Sequence, residues 1–170
     1  NVPLGPKTTM RIGGVARYFV ELQTKNDVED VVMFAEKKRL PLVILGGGSN
    51  TIFADGMIEA VVARMQADSV VVAPHPSPLP RKEGTLIRVE AGKILASLLN
   101  DLAEQNLDLS PLTGIPGTVG GAIFGNAGQG FGGTWLSSFV KDVTFYSEKR
   151  WKTWTVEECE FWYRESMFKQ

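Results

Sequence analysis

The segment GIPGTVGGAIFGNAG, residues 114–128, carries six glycines in fifteen positions and intersperses them with isoleucine, alanine and phenylalanine. Flexible linkers pair glycine with polar residues that keep the chain solvated. This mixture of bare backbone and apolar side chains instead belongs to backbone packed closely against something. A second segment, PLVILGGGSN at 41–50, leaves a short apolar run through Gly46, Gly47 and Gly48. Glycines at positive φ can turn successive N–H groups into one concavity, and Ser49 and Asn50 add side-chain donors, an arrangement suited to phosphate. The segment lacks the Gly-Lys-Ser/Thr of a Walker loop and has Thr51 where a G-x-G-x-x-G fingerprint needs its third glycine. A tight turn after a strand fits the same spacing equally well.

In the longer segment Gly114, Gly117 and Gly120 recur every third residue and then double with Gly121. A flat ligand or another strand can approach such a backbone, while Thr118 caps the following turn with its hydroxyl toward a phosphate. Two donor-rich loops in one small protein indicate a dinucleotide. Purely structural glycine packing is the alternative at this point.

Composition narrows the partners. The 170 residues are 44% hydrophobic and 22% charged, enough for one domain or two small lobes. With 18 basic and 19 acidic residues and no long run of either sign, the chain offers no electrostatic footprint for nucleic acid or an anionic membrane. One cysteine, Cys159, and one histidine, His75, supply no zinc or iron–sulfur ligand set. No stretch reaches the roughly 18 to 20 apolar residues of a membrane span, and the N-terminus lacks the pattern of a signal peptide. A small-molecule ligand and a cytoplasmic setting are expected. The absence of an initial methionine and the stop after an aromatic, charged cluster predict a longer natural polypeptide.

Hydrophobic periodicity predicts an α/β lobe over 1–73. RYFVEL reads as a strand. TKNDVEDVVMFAEKKRL reads as a helix capped by Asn26 or Asp27, with Val28, Val31, Val32 and Ala35 on one face. PLVIL, AVVARM and SVVVA follow as strands. The proline-rich stretch 74–85 is expected as an exposed loop at the lobe boundary. The second lobe, 86–170, begins with the strand LIRVEAG and a helix carrying Leu95, Leu98, Leu99 and Leu102 on one face. VKDVTFYS and WKTWTV then pair antiparallel around EKR, and Thr155 with Glu158 predicts the capping box of a short helix holding Cys159 as a small buried hydrophobe. Trp151, Trp154 and Trp162 are assigned to strand packing.

RIGGVARYF, VILGGGSN, GIPGTVGGAIFGNAG and ECEFWYRESMFK, in this order, resemble the FAD-binding part of the UDP-N-acetylenolpyruvoylglucosamine reductase family. The glycine motifs are shared with other oxidoreductases, and Tyr-Arg-Glu-Ser-x-Phe-Lys at 163–169 is the specific element. The resemblance implies an α+β, two-lobed FAD-binding domain of the vanillyl-alcohol-oxidase/PCMH type. FAD would lie between the lobes, bound non-covalently because neither glycine segment contains histidine or cysteine. Gly46, Gly47, Gly48, Ser49, Asn50 and Thr51 would meet the pyrophosphate. Gly114, Ile115, Pro116, Gly117, Thr118, Gly120, Gly121 and Ala122 would follow the pyrophosphate and flavin, with Ile115, Ala122 and Ile123 as an apolar wall and Asn126 as a polar contact or turn closer.

The implied reaction takes hydride from NADPH and delivers it to the enolpyruvyl group of a UDP-sugar, giving UDP-N-acetylmuramate for peptidoglycan. Arg164 matches the active-site arginine, whose fixed fork stabilises charge growing beside the substrate carboxylate, and Tyr163 matches a substrate-contacting tyrosine. Without the resemblance, Arg164 beside Glu165 reads as a surface ion pair. The family's C-terminal substrate domain, with its serine or cysteine proton donor and glutamate, is absent from these residues. QGFGGTWLSSF at 129–139 departs from the family's Ala-Tyr-Gly-Gly-Glu turn, and 74–85 looks like an insertion. Another flavin oxidoreductase of the same fold, or a catalytically incomplete FAD-binding module, are the alternatives.

Overall fold

The computed structural model describes residues 1–73, 85–129 and 133–169. It is α+β, with one mixed sheet and two antiparallel strand pairs. Strands β1 (Val2–Pro3), β2 (Val15–Leu22), β3 (Leu42–Leu45) and β4 (Met57–Met65) form the sheet in the order β1-β2-β4-β3, with β4 parallel to both β2 and β3. The run Ala60–Ala63 is buried throughout, as a central parallel strand covered on both faces requires. One face packs Leu22, Val61 and Ala63 under Val31 and Ala35 of helix α1 (Lys25–Lys38). The other packs Ala16, Leu45 and Val62 under Leu4 and Phe53.

Helix α1 begins two to three residues earlier than the expected caps imply. Its cap is Thr24, whose hydroxyl accepts from the Asp27 N–H at 3.2 Å, while Asp27 accepts from the N–H groups of Gln23 and Thr24 at 2.8 Å each. Neither Asn26 nor Asp27 is the cap. Threonine takes the extended backbone that a cap needs, and the carboxylate three residues on reaches back to close the box. These N–H donors, Gln23 first, hold the Asp27 carboxyl below its ordinary value. The stability they confer is present above the unfolded carboxyl's range and is lost as pH falls through the lowered folded value.

Strand β5 (Val70–Ala73) pairs antiparallel with β6 (Leu86–Val89). Val70, Ile87 and Val89 pack with the core of α2 (Leu95–Ala103), where Leu95, Leu98, Leu102, Leu112, Ala122 and Leu136 are buried. The chain therefore leaves the four-stranded sheet between Met65 and Val70, before the proline-rich stretch. Residues 74–84 of that stretch, including His75, lie outside the described residues.

Strands β7 (Asp142–Ser147) and β8 (Arg150–Thr155) pair as expected, across a two-residue turn with both Glu148 and Lys149 at positive φ. Trp151 leaves this hairpin to donate its indole N–H to Glu29 of α1 at 2.8 Å, and Trp154 packs on Phe145 and Phe168. Trp162, assigned to strand packing from sequence, is instead 77% exposed at a turn.

The Thr155–Glu158 box forms, with Thr155 N–H donating to Glu158 at 2.8 Å, but the expected helix stops as a single turn. Glu160 at φ 44° takes the left-handed conformation that ends a helix. Cys159 is fully buried there, and desolvation pushes its thiol up to about 11, so it stays protonated at neutral pH.

Candidate functional site

The two glycine segments, about seventy positions apart, meet backbone to backbone. A Cβ on Gly47 would lie 3.0 Å from the Gly117 Cα, one on Gly46 would lie 2.6 Å from the Thr118 hydroxyl, and one on Gly117 would lie 2.7 Å from the Ser49 hydroxyl. Ser49 donates to the Pro116 carbonyl at 3.4 Å. The structure thus brings together the residues that the sequence singled out separately.

The reason for the glycines differs from the expected one. Of Gly46, Gly47 and Gly48 only Gly48 has positive φ, 68°. The first two are glycine because neighbouring backbone and side chain occupy the Cβ position. Gly48 is also covered, by the Lys7 carbonyl and Thr8, and its own carbonyl accepts from both the N–H and the hydroxyl of Thr9. The strap Lys7–Thr9 was not predicted as part of the site. The sequence held no local signal for it, because its contact lies about forty residues away. Beyond it, Met10 and Ile12 are more than half exposed, as is Ile52 on the far side of the glycine turn.

Among the described residues, the backbone N–H groups of Gly47, Gly48, Ser49 and Asn50 have no protein acceptor. A run of unspent donors at the end of a parallel strand is the chemistry that an anion such as a pyrophosphate takes up. The other segment has spent most of its donors. Val119 donates to Lys93 O, Gly120 to Ala91 O, Ile115 to Leu112 O and Gly121 to the Thr118 hydroxyl. Thr118 caps a helix, α3 (Val119–Phe124), where only a turn was expected. Each interior glycine costs about 1 kcal/mol in a helix, so Gly120 and Gly121 hid it. Gly114, at φ 86° with nothing within 4 Å of a Cβ, and the exposed Gly121 present open backbone. A polar cleft of about 200 Å³ opens beside Thr118, lined also by Arg64, Lys93 and Ser97.

The expected apolar wall faces inward. Ala122 is buried in the α2 core, and Ile123 of the same helix and Ile115, ahead of it, pack against that cluster. Asn126 is 3% exposed, and its amide group is committed to the protein. It donates to Trp162 O at 2.9 Å and accepts from the Ser137 N–H at 3.2 Å. Of its two expected roles, the side chain performs turn closure.

That closure docks the turn carrying Tyr163 and Arg164. Trp162 and Glu165 exchange backbone hydrogen bonds, placing Tyr163 and Arg164 at the tip, and Ser166 donates to Phe124 O at 2.7 Å. Arg164 donates from Nη2 to Gly128 O at 3.0 Å. It does not pair with Glu165, whose partner is Lys169 at 3.2 Å. Trp135 contacts both tip residues. Among the described residues no group of His, Cys, Asp and Glu gathers as a metal site, and no helix is long and apolar enough to cross a membrane.

A family model described as an FAD binding domain matches residues 16–149. A UDP-N-acetylenolpyruvoylglucosamine reductase 2 of Bacillus cereus is 32% identical over 163 residues, covering 95% of this chain and 50% of that protein. The UDP-N-acetylenolpyruvoylglucosamine reductase of Lactobacillus johnsonii is 32% identical over 172 residues, covering all of this chain and 54% of that one. The crystal structure of the corresponding reductase from Thermus caldophilus superposes with a TM-score of 0.73 at 24% identity, over 97% of this chain and 55% of that chain, and establishes the fold. The chain spans about half the length of the curated relatives it matches.

Proposed function

The chain belongs to the FAD binding domain family, and from that premise we propose that it holds the flavin of an NADPH-fed UDP-N-acetylenolpyruvoylglucosamine reductase in peptidoglycan precursor synthesis in the cytoplasm. The observation that carries this reading is the disposition of α3. Its N-terminus meets the Gly46–Thr51 loop through Thr118, and the loop beyond its C-terminus holds the Tyr163–Arg164 turn. Six helical residues span about 9 Å, a separation suited to a ligand with a pyrophosphate at one end and a reactive ring toward the other.

In this reading the unspent donors of Gly47–Asn50 bind the pyrophosphate, with Gly46 and Thr51 completing the loop around it. The open backbone of Gly114 and Gly121 faces the ring, while Pro116 and Gly117 hold the two segments together and Gly120 packs on Ala91. Bound FAD supplies hydride transfer, accepting from the nicotinamide and delivering to the enolpyruvyl double bond. Arg164 faces the carboxylate on which negative charge grows, and its planar fork stabilises that charge without reorganising. Tyr163, 65% exposed at the same tip, contacts the sugar substrate. The two-lobed organisation of the vanillyl-alcohol-oxidase/PCMH type belongs to the same reading, with β5 assigned to the second lobe.

Acid precipitation of the purified protein is expected to release FAD rather than FMN and to leave a colourless pellet. In stopped flow of an intact version that includes the substrate domain, NADPH bleaches the flavin and UDP-N-acetylenolpyruvoylglucosamine restores its colour. Arg164→Lys is expected to leave bleaching unchanged and to slow recolouring about a hundredfold to a thousandfold, the effect of losing one preorganised donor at developing charge. Recolouring at the wild-type rate, or equal slowing of both halves, overturns the role of Arg164. Bound FAD with no recolouring of the wild-type protein favours the catalytically incomplete module.

A further inference from the structure

Trp135 is the residue on which the turn carrying Tyr163 and Arg164 rests. Its ring meets Tyr163 edge-on at 5.3 Å between centroids, and the Arg164 guanidinium carbon lies 5.5 Å from the same ring's centroid. Trp135 and Gly128 form an antiparallel bridge, and a Cβ on Gly128 would lie 2.5 Å from the indole Cε3. Glycine at 128 therefore lets the ring lie against the backbone whose carbonyl accepts from Arg164 at 3.0 Å. The guanidinium is held from two directions, its Nη2 by a carbonyl and its carbon over an aromatic ring. Its other nitrogens make no hydrogen bond to the protein among the described residues. Arg164 sits at φ 57°, a conformation that costs a non-glycine residue energy and persists where surrounding contacts hold it. Lys169 Nζ adds a bond to the Arg164 carbonyl at 2.5 Å.

From this we infer that Trp135 is a positioning residue for Arg164, fixing the plane of the guanidinium so that its remaining fork is presented to a carboxylate. A cation over an aromatic face is attracted to it, and a flat indole permits few orientations of a planar guanidinium. An arginine displaced by about 1 Å at a reacting centre loses rate while its charge is unchanged. The inference rests on the reductase reading for its carboxylate, and on this geometry alone for the clamp.

The test compares Trp135→Leu with Trp135→Phe, with two measurements on each. The first is the Arg164 Nε–H resonance in arginine-labelled protein, assigned by its loss in Arg164→Lys. The ring shifts this signal upfield. Trp135→Leu is expected to abolish the shift, and Trp135→Phe to retain most of it. The second is the pair of flavin half-reactions. Trp135→Leu is expected to slow recolouring about tenfold with bleaching and FAD affinity within twofold of wild type, and Trp135→Phe to recover most of the loss.

A resonance unmoved in Trp135→Leu overturns the clamp whatever the reaction is. A moved resonance with wild-type recolouring, in a protein where Arg164→Lys does slow it, overturns positioning by Trp135 and leaves the reductase reading standing. Equal slowing of both half-reactions in Trp135→Leu overturns positioning in favour of a structural role. Failure of the wild-type protein to recolour overturns the reductase reading and the catalytic part of this inference together.

Discussion

The loop at 46–50 and the segment at 114–121 are both rich in glycine and differ in how far their N–H groups are already bonded. In the first, Gly46 and Gly47 are demanded by the chain's own atoms, which fill the space a Cβ would need, while the N–H groups from Gly47 to Asn50 remain unspent. In the second, four of the seven N–H groups are bonded, to Ala91, Lys93, Leu112 and Thr118, while Gly114 faces open space and Gly121 is exposed. The first segment therefore offers four consecutive free donors, and the second offers exposed glycine backbone at Gly114 and Gly121. Those are the separate requirements of a pyrophosphate and of a planar ring. Glycine content alone does not separate the cases. Donor accounting does, because a buried or ligand-facing N–H must bond to something.

The largest expected effect breaks the contact between the segments. Gly47→Val sets a branched side chain against the Gly117 Cα, which cannot retreat as a flexible side chain would. FAD affinity is expected to fall at least a hundredfold, about 2.7 kcal/mol, with a lowered melting temperature, read by flavin titration and thermal unfolding. Gly47 needs no positive φ, so the effect comes from crowding. Unchanged affinity would mean that the loop is a structural turn and that its free donors face only water.

What the sequence made legible follows the same division between local and distant causes. β2, α1, α2 and the β7–β8 pair were readable because each carries its signal within a single segment, apolar residues at helical spacing for α1 and α2 and β-branched or aromatic runs for the strands. The pairing of β5, the covering strap Lys7–Thr9 and the contacts of Trp135 were not, because each is decided by a partner at least thirteen residues away. The structure brings the two glycine segments together, but Gly46 and Gly47 take no positive φ and the side chains of Ile115 and Ala122 pack inward, unlike the expectation for them. Periodicity shows that a residue packs; it does not show against which neighbour.

A smaller effect sharpens the comparison on the other side. A Cβ on Gly121 meets only the Thr118 hydroxyl, at an ordinary 3.5 Å, and the position is helical with no positive φ. Gly121→Ala is expected to stabilise the free protein by up to about 1 kcal/mol, raising its melting temperature by roughly 2 to 4 °C. FAD affinity is expected to fall about tenfold, because the added methyl occupies the surface assigned to the ring. A stabilised protein with unchanged affinity would remove α3 from the ligand face while leaving the 46–50 loop in place.

The smallest effects come from the two hydroxyls, and their contrast is more informative than their size. Thr118 is 3% exposed and accepts from the Gly121 N–H, so Thr118→Ala removes a helix cap and costs about 1 kcal/mol of stability. Ser49 makes one long bond, to Pro116 O at 3.4 Å in an exposed setting, so Ser49→Ala is expected to change stability by less than about 0.5 kcal/mol. The order reverses for FAD. Ser49→Ala removes a hydroxyl that can turn from its long bond to Pro116 O toward a phosphate, and affinity is expected to fall about threefold to tenfold. Thr118→Ala is expected to change it less than threefold, since that hydroxyl is already engaged within the protein. Paired thermal melts and flavin titrations separate the two. If Thr118→Ala weakened FAD more than Ser49→Ala did, the phosphate contact would lie on the capped segment, and the division of labour between the two glycine segments would have to be reversed.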